Sequence, residues 1–277
     1  MARMLGLQVC GGSDEVQMIF IRGNFDSEAK PVLDTSRYPE LSNFPGDGWS
    51  TIKIGSVRIW EHAEVPDLVC ELFDKDLRRN IDYNSMESAD TWRIIYSFYP
   101  IINSVVKAGG TVTHCAMFEL DGKGALIAAK SGTGKSTCYR RIERPWHAIS
   151  DEQALIVRVG EGYHLHPTPT WSDFVERGLD YSRDIQWTTP LSAFFFLEQA
   201  KEDEVVPLGK GKAAMEIYNS SEQMCRKYIL SLGKEQQVAF RNRLLDNAFE
   251  ISRRVPSFML RATLNGRFWD EMAKVLP

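Results

Sequence analysis

The segment Ala129-Lys130-Ser131-Gly132-Thr133-Gly134-Lys135-Ser136-Thr137 carries the residue types of a phosphate-binding loop, in the spacing such a loop needs. It fits the wider Walker A pattern, with alanine in place of the first glycine. Gly132 and Gly134 let the backbone curl so that successive N–H groups point inward. A helix starting near Lys135 offers its positive end and its unpaired N–H groups to a phosphate. Lys135 then reaches the β- and γ-phosphates, and the Ser136 hydroxyl can bind Mg²⁺. Thr137 adds a contact near the α-phosphate, and Ser131 completes the loop. The cofactors implied are ATP and Mg²⁺. The plainer alternative is a Gly/Ser turn with an exposed lysine.

Phosphoryl transfer also needs a carboxylate, for the metal or for the nucleophile. The nearest candidates are Asp151 and Glu152, sixteen positions and more beyond Lys135 and just past the apolar stretch Trp146–Ile149. That interval holds one short helix, a turn and one strand. It predicts the acidic pair at a strand end beside the loop, as in a compact kinase-type site. RecA-like ATPase cores place the acid much further downstream. The competing reading makes Ser150 a helix N-cap followed by acidic first-turn residues.

The elements that must position these groups follow from periodicity. Thr111–Leu120 reads as a strand, Asp121-Gly122-Lys123-Gly124 as a hairpin turn of the Asp-Gly type, and Ala125–Ala129 as a buried strand running into the loop. A helix is expected at about 135–144, and strands near 146–150, 153–159, 162–168 and 191–198. Helices are expected over Lys210–Tyr228 and Lys234–Arg253, then a strand at Phe258–Leu264 and a helix at Arg267–Val275. Upstream, a helix capped by Ser85 or Ser88 carries Trp92, Ile95, Tyr96, Tyr99, Ile102 and Val106 on one face. Pro100 should kink it and Gly109–Gly110 should end it. The first ~80 residues look β-rich, with runs at Leu5–Val9, Gln17–Arg22 and Ser50–Glu61. Ser27–Trp49 reads as a surface loop, and Cys70–Arg79 as a short helix or a turn. The mixed order indicates an α/β fold with a mixed sheet rather than a uniformly alternating doubly wound one. The division expected is 1–84, a smaller β-rich region, and 85–277, a P-loop domain.

At this point the residues resemble a known family. Thr113-His114-Cys115, Gly124-Ala125-Leu126-Ile127, Ser131-Gly132-Thr133-Gly134-Lys135-Ser136 and Ile149-Ser150-Asp151-Glu152 together resemble the catalytic core of HPr kinase/phosphorylase, over about 40 residues. Weaker likeness runs through His166–Trp171, Leu191–Gln199 and Phe268-Trp269. These features are similar to the short HPr-kinase-like proteins encoded beside ribosomally made peptides. The resemblance implies an HPr-kinase-like P-loop core in which Lys135 binds phosphate and Ser136 binds Mg²⁺. It also implies that Asp151 is the general base for an acceptor hydroxyl, and that His114 sits near the γ-phosphate. Glu152 stands where the family has a second Asp, so its metal role is lengthened by one methylene. The family's basic Pro-Gly-Arg-Asn type loop has no match. Arg241-Asn242-Arg243 falls inside a predicted helix. Phosphorolysis and HPr as substrate are therefore not carried over.

The expectation is an ATP-dependent, Mg²⁺-requiring kinase whose acceptor is a peptide or a small molecule bearing a hydroxyl. A second reading is a nucleotide-binding adaptor that recognises a precursor peptide or partner enzyme without transfer. A third is a simple nucleoside triphosphatase. Other groups have plainer explanations. His114 can be a hydrogen-bonded core histidine. His164 and His166, two apart on a strand, share a face and suit either a site wall or a structural role. Arg140, Arg141 and Arg144 follow the loop on its helix, where an arginine finger is one reading for one of them and a solvated helix face the commoner one. Thr168–Asp173 can line a pocket or form a packed turn. Neither Ser131 nor Cys138 has a His–acid arrangement that would make it a nucleophile.

Composition narrows the classes. The chain has 277 residues, 43% hydrophobic and 25% charged, which suits a globular fold and excludes disordered and collagen-like ones. Its net charge of −4 gives no hint of the basic face that a nucleic-acid binder needs, local patches aside, and no nucleic acid is expected as partner. No apolar run approaches the ~20 residues that span a bilayer, so no membrane partner is expected. Met1–Gly12 makes a poor signal peptide. The five cysteines contain no C-x-x-C and read as free thiols in the cytoplasm. A homo-oligomer is left open.

Overall fold

The structure, a computed structural model, describes residues 98–168 and 187–277, together with the backbone of four strands ahead of them. The residues form two units, with a boundary between Ile101 and Ile102; Lys227–Gly233 also belongs to the first unit. The predicted strand Leu5–Val9, the start of the helix expected from Ser85 or Ser88, the Ser27–Trp49 loop up to residue 48 and Pro169–Asp173 lie outside the described residues.

In the first unit, β1 (Gln17–Gly23), β2 (Trp49–Ile54), β3 (Val57–His62) and β4 (Leu68–Asp74) form a sheet of order β1-β4-β3-β2. β1 lies parallel to β4, and the other two pairings are antiparallel. The run read as one stretch, Ser50–Glu61, is a hairpin of two strands. The start of Cys70–Arg79 is strand and not the helix or turn expected. Its partner β1 lies some fifty residues away, and periodicity holds no information about that pairing.

The second unit begins within α1 (Tyr99–Lys107). Pro100 is the second residue of this helix as described. Its missing N–H is one that a first turn leaves unpaired anyway, so the expected kink is absent from α1. β5 (Thr111–Leu120) and β6 (Lys123–Ala128) follow as a hairpin. Asp121 and Gly122 both have positive φ, 50° and 76°, as a two-residue turn of the primed type demands. Then come α2 (Lys135–Arg141), β7 (His147–Ser150), β8 (Gln153–Val159), β9 (Gly162–Pro167) and β10 (Thr189–Gln199). β11 (Glu204–Pro207), α3 (Lys210–Ser231), α4 (Lys234–Arg254), β12 (Ser257–Ala262) and α5 (Phe268–Val275) complete it.

The eight-stranded sheet is mixed, as expected, with order β11-β12-β10-β6-β5-β8-β9 and β7 attached to β5. β10 is parallel to both β6 and β12, and every other pairing is antiparallel. β5 is shared. Its first half pairs with β8 and its second half with β7. β9 also touches the start of β10, at Thr189↔Leu165 and Pro190↔His164. That contact closes a circuit through β5, β8, β9, β10 and β6. Gly124 sits at a close approach within this circuit. A Cβ there would lie 2.5 Å from Thr189 Cγ2 and 2.9 Å from Pro190 O, so only glycine fits.

The central strands are buried on both faces. One face of β5, β6 and β10 (Cys115, Met117, Leu126, Phe194, Phe196) packs on Ala213 and Ile217 of α3, on Ala248 and Ile251 of α4, and on Val255 just past it. The other (Ala116, Phe118, Ile127, Phe195) packs on Cys138 and Tyr139 of α2 and on Phe268, Trp269 and Met272 of α5. Runs such as Ala193–Leu197 are apolar throughout because both faces are covered. Asn247 of α4 ties the layers by donating to Val106 O and Gly110 O, both at 2.8 Å. Among the described residues no helix is long and apolar enough to cross a membrane.

Candidate functional site

The phosphate loop joins the C-terminal end of β6 to the N-terminus of α2. Gly132 and Gly134 take φ of 80° and 120°, conformations open to glycine and costly for other residues. Gln199, the last residue of β10, donates from Nε2 to Thr133 O at 3.0 Å and so holds the loop against the neighbouring parallel strand. The loop thus lies at the carboxyl ends of two parallel strands, β6 and β10, the position at which α/β folds bind ligands. Ser131 and Ser136 are exposed, and Thr133 and Thr137 are half-buried.

Lys135 is only 5% exposed. Its Nζ donates to Ala129 O at 2.8 Å and to Lys130 O at 3.4 Å, so the side chain folds back across the loop it closes. Burial pushes its pKa below the ordinary lysine value. A partly desolvated ammonium held by weak carbonyl acceptors is well placed to take an anionic oxygen instead. The loop's glycine conformations, exposed hydroxyls and buried lysine therefore fit a nucleotide's phosphates.

β5 brings the remaining groups to this place. Cys115 pairs with Ala128, the last residue before the loop, on one side. On its other side the Cys115 N–H donates to Glu152 O at 3.2 Å, and His114 pairs with Gln153. The acidic pair and the loop thus flank the same two residues of β5, roughly two strand spacings (~10 Å) apart. Asp151 and Glu152 occupy the bend between β7 and β8, which rules out Ser150 as a helix N-cap. Asp151 is buried, at 8% exposure, and Glu152 is half-buried. The acidic pair thus follows directly on the end of β7, with β5 between it and the loop.

His114 lies on the face of the sheet that carries α2, since it shares a side of β5 with Ala116 and Phe118. Its own N–H donates to Ser220 Oγ of α3 at 3.0 Å, which fixes the strand at this point. Burial, and then the charge of Lys135, lower its pKa to about 4, so its ring is neutral at neutral pH. Cys115 is pushed up to about 12 by burial and stays a thiol. Cys138, raised to about 11 by burial, is equally inert.

The solvated face expected as the commoner role of the α2 arginines is not what Arg141 presents. Its guanidinium donates to Thr263 O at 3.0 Å and to Gly266 O, and lies over the Phe268 and Trp269 rings. It fastens the far end of α2 to the β12–α5 connection. Arg140 bends back to its own helix, its Nε donating to Ser136 O at 3.1 Å. Sequence reasoning missed Gln199 as the loop's clamp, because its partner lies sixty-six residues away. Among the described residues no group of three or more His, Cys, Asp and Glu side chains could hold a metal ion.

Residues 77–277 match the model of a protein family described as SynChlorMet cassette protein ScmC. The chain is also similar to the solved Hpr(Ser) kinase/phosphatase from Coxiella burnetii, at 11% identity and a TM-score of 0.32, over 60% of this chain and 87% of that one.

Proposed function

The chain belongs to the SynChlorMet cassette protein ScmC family, and from that premise we propose that it is an ATP-dependent phosphotransferase acting on a hydroxyl acceptor, a ribosomally made peptide being the acceptor class of choice. The observation that carries the reading is the meeting of three segments at one end of the sheet. They are the loop with its buried Lys135, His114 of β5, and the buried Asp151 across β5 from the loop.

Bound Mg–ATP would supply the transferable γ-phosphoryl group and the charge that holds it. Lys135 and the inward N–H groups of 131–136 bind the β- and γ-phosphates, Lys135 giving up its loop carbonyls for them. The Ser136 hydroxyl, with Glu152 beyond it, serves the metal. Asp151 accepts the proton of the acceptor hydroxyl as the new P–O bond forms and the bond to the leaving diphosphate breaks. Neutral His114 hydrogen-bonds near the γ-phosphate without adding a second positive charge beside Lys135.

The test is transfer of labelled γ-phosphate to a panel of Ser- and Thr-containing peptides by the wild type and by Asp151→Asn. We expect the variant to keep nucleotide affinity and to lose about 10²- to 10⁴-fold in transfer. Full transfer by the variant would sink the assignment of Asp151. A second reading, a nucleotide-binding adaptor without transfer, is favoured by Glu152, which replaces the resembled family's second Asp. Its mark would be saturable Mg–ATP binding, lost in Lys135→Ala, with no phosphorylated peptide.

A further inference from the structure

β9 carries a second constellation of titratable side chains, two strands across the sheet from β5. Tyr163 and Leu165 of this strand point into the core, so His164 and His166 share the opposite face and are half-buried. Thr188, just ahead of β10, meets them both. Its Oγ1 lies 3.4 Å from His164 Nδ1 and 3.3 Å from His166 Nε2. One hydroxyl has one proton. Hence one ring accepts it and the other donates its N–H to the same oxygen. Two imidazole nitrogens from neighbouring positions on a strand thus converge on one oxygen.

We propose that His164 Nδ1, His166 Nε2 and the Thr188 hydroxyl form a binding site for a borderline divalent transition metal, of the Zn²⁺ or Ni²⁺ class, which clamps β9 to the start of β10. Imidazole nitrogen selects such ions over Mg²⁺, which takes oxygen ligands. The site is thereby chemically separate from the Mg²⁺ of the nucleotide. Binding needs both nitrogens as lone pairs, at about 2.0–2.1 Å from the ion, so the rings close on a point now bracketed at hydrogen-bond distance. Two nitrogens and a hydroxyl leave positions for water, so the ion is exchangeable rather than a folding core. The location gives it a task. β9 and β10 are joined at just two residue pairs, Thr189↔Leu165 and Pro190↔His164, and the triad stands beside them.

The test is calorimetric titration of NiCl₂ into the full, untagged chain, beside His164→Ala, His166→Ala and Thr188→Val, with His147→Ala as the exposed, remote control. We expect one Ni²⁺ per wild-type chain, no saturable binding in either β9 variant, and unchanged binding in His147→Ala. Thr188→Val keeps both rings and should lose affinity by no more than about 10- to 100-fold. MgCl₂ should give no heat at this site. Co²⁺ loading reads the ligands directly: a d–d spectrum without a thiolate charge-transfer band is expected. Equal binding by a folded His164→Ala/His166→Ala double variant, or a thiolate band, overturns the proposal. So does a wild type that takes up no Ni²⁺.

Discussion

Burial at the phosphate loop weakens two positive charges at once. Lys135 is driven below its ordinary pKa by desolvation, and His114 to about 4 by desolvation and then by Lys135. The consequence for stability has a definite sign. The unfolded imidazole titrates near 6.5, whereas the folded one stays neutral down to about 4. Between those values the unfolded chain binds the extra proton, so stability rises with pH across that window. The contribution of His114 is complete above pH 6.5 and is lost as pH falls toward 4. We expect urea unfolding of the wild type to weaken from pH 6.5 to 4 more steeply than that of His114→Gln. Coincident slopes for the two proteins would remove His114 as the responsible group. The same neutrality suits the proposed site, where an imidazolium beside a buried ammonium would be costly.

At the scale of elements, β5 and the carboxyl ends of β6 and β10 decide where chemistry can occur. At Gly124, β6 passes close against the start of β10. We expect Gly124→Ala to cost about 1–3 kcal/mol in urea unfolding, because its Cβ meets Thr189 Cγ2 and the backbone oxygen of Pro190. Unchanged stability would mean that the strand circuit is looser than its pairings indicate. Gln199→Ala should act differently. It removes the tie to Thr133 O and should weaken Mg–ATP binding a few-fold at a stability cost of about 1 kcal/mol. Isothermal titration and urea unfolding together separate these effects. Much at this scale was legible in the sequence. Thr111–Leu120, the Asp121-Gly122 turn, the buried strand before the loop and α4 announce themselves by local pattern. β4 and β11 do not. β11 is four residues long, half exposed, and exists through its pairing with β12. β4 rests on a parallel partner far upstream. Nor did any pattern join Thr188 to His164 and His166, since β9 and β10 meet only after the circuit closes. The loop and the acidic pair were readable because short spacing fixes them, whereas Gln199 as clamp depends on a long-range contact.

At the scale of the whole molecule, the loop lysine sets function against stability. A cation at 5% exposure held by two carbonyls is a costly group to bury, and the lowered Lys135 pKa is the electrostatic sign of that cost. Folding is otherwise supported by the layers of helix around the sheet and by ties such as Asn247 to Val106 O and Gly110 O. Two variants should therefore behave oppositely. Lys135→Met keeps the length of the stem and removes the charge. It should leave the ligand-free Tm unchanged or raise it, and abolish the rise that Mg–ATP produces. Asn247→Ala removes the amide that bridges Val106 O and Gly110 O and leaves Val106 O with the Gly109 N–H alone; it should lower the ligand-free Tm and keep that rise intact. In the wild type, nucleotide at about 100 times Kd contributes about 2.7 kcal/mol to the folded state. For a domain of this size that is a shift of about 5–10 °C. Thermal unfolding of the three proteins, with and without Mg–ATP, measures all of this at once. A Lys135→Met protein that still gains the full shift would place the nucleotide elsewhere. A wild type that gains none, while folded, would leave the buried lysine without a phosphate to hold.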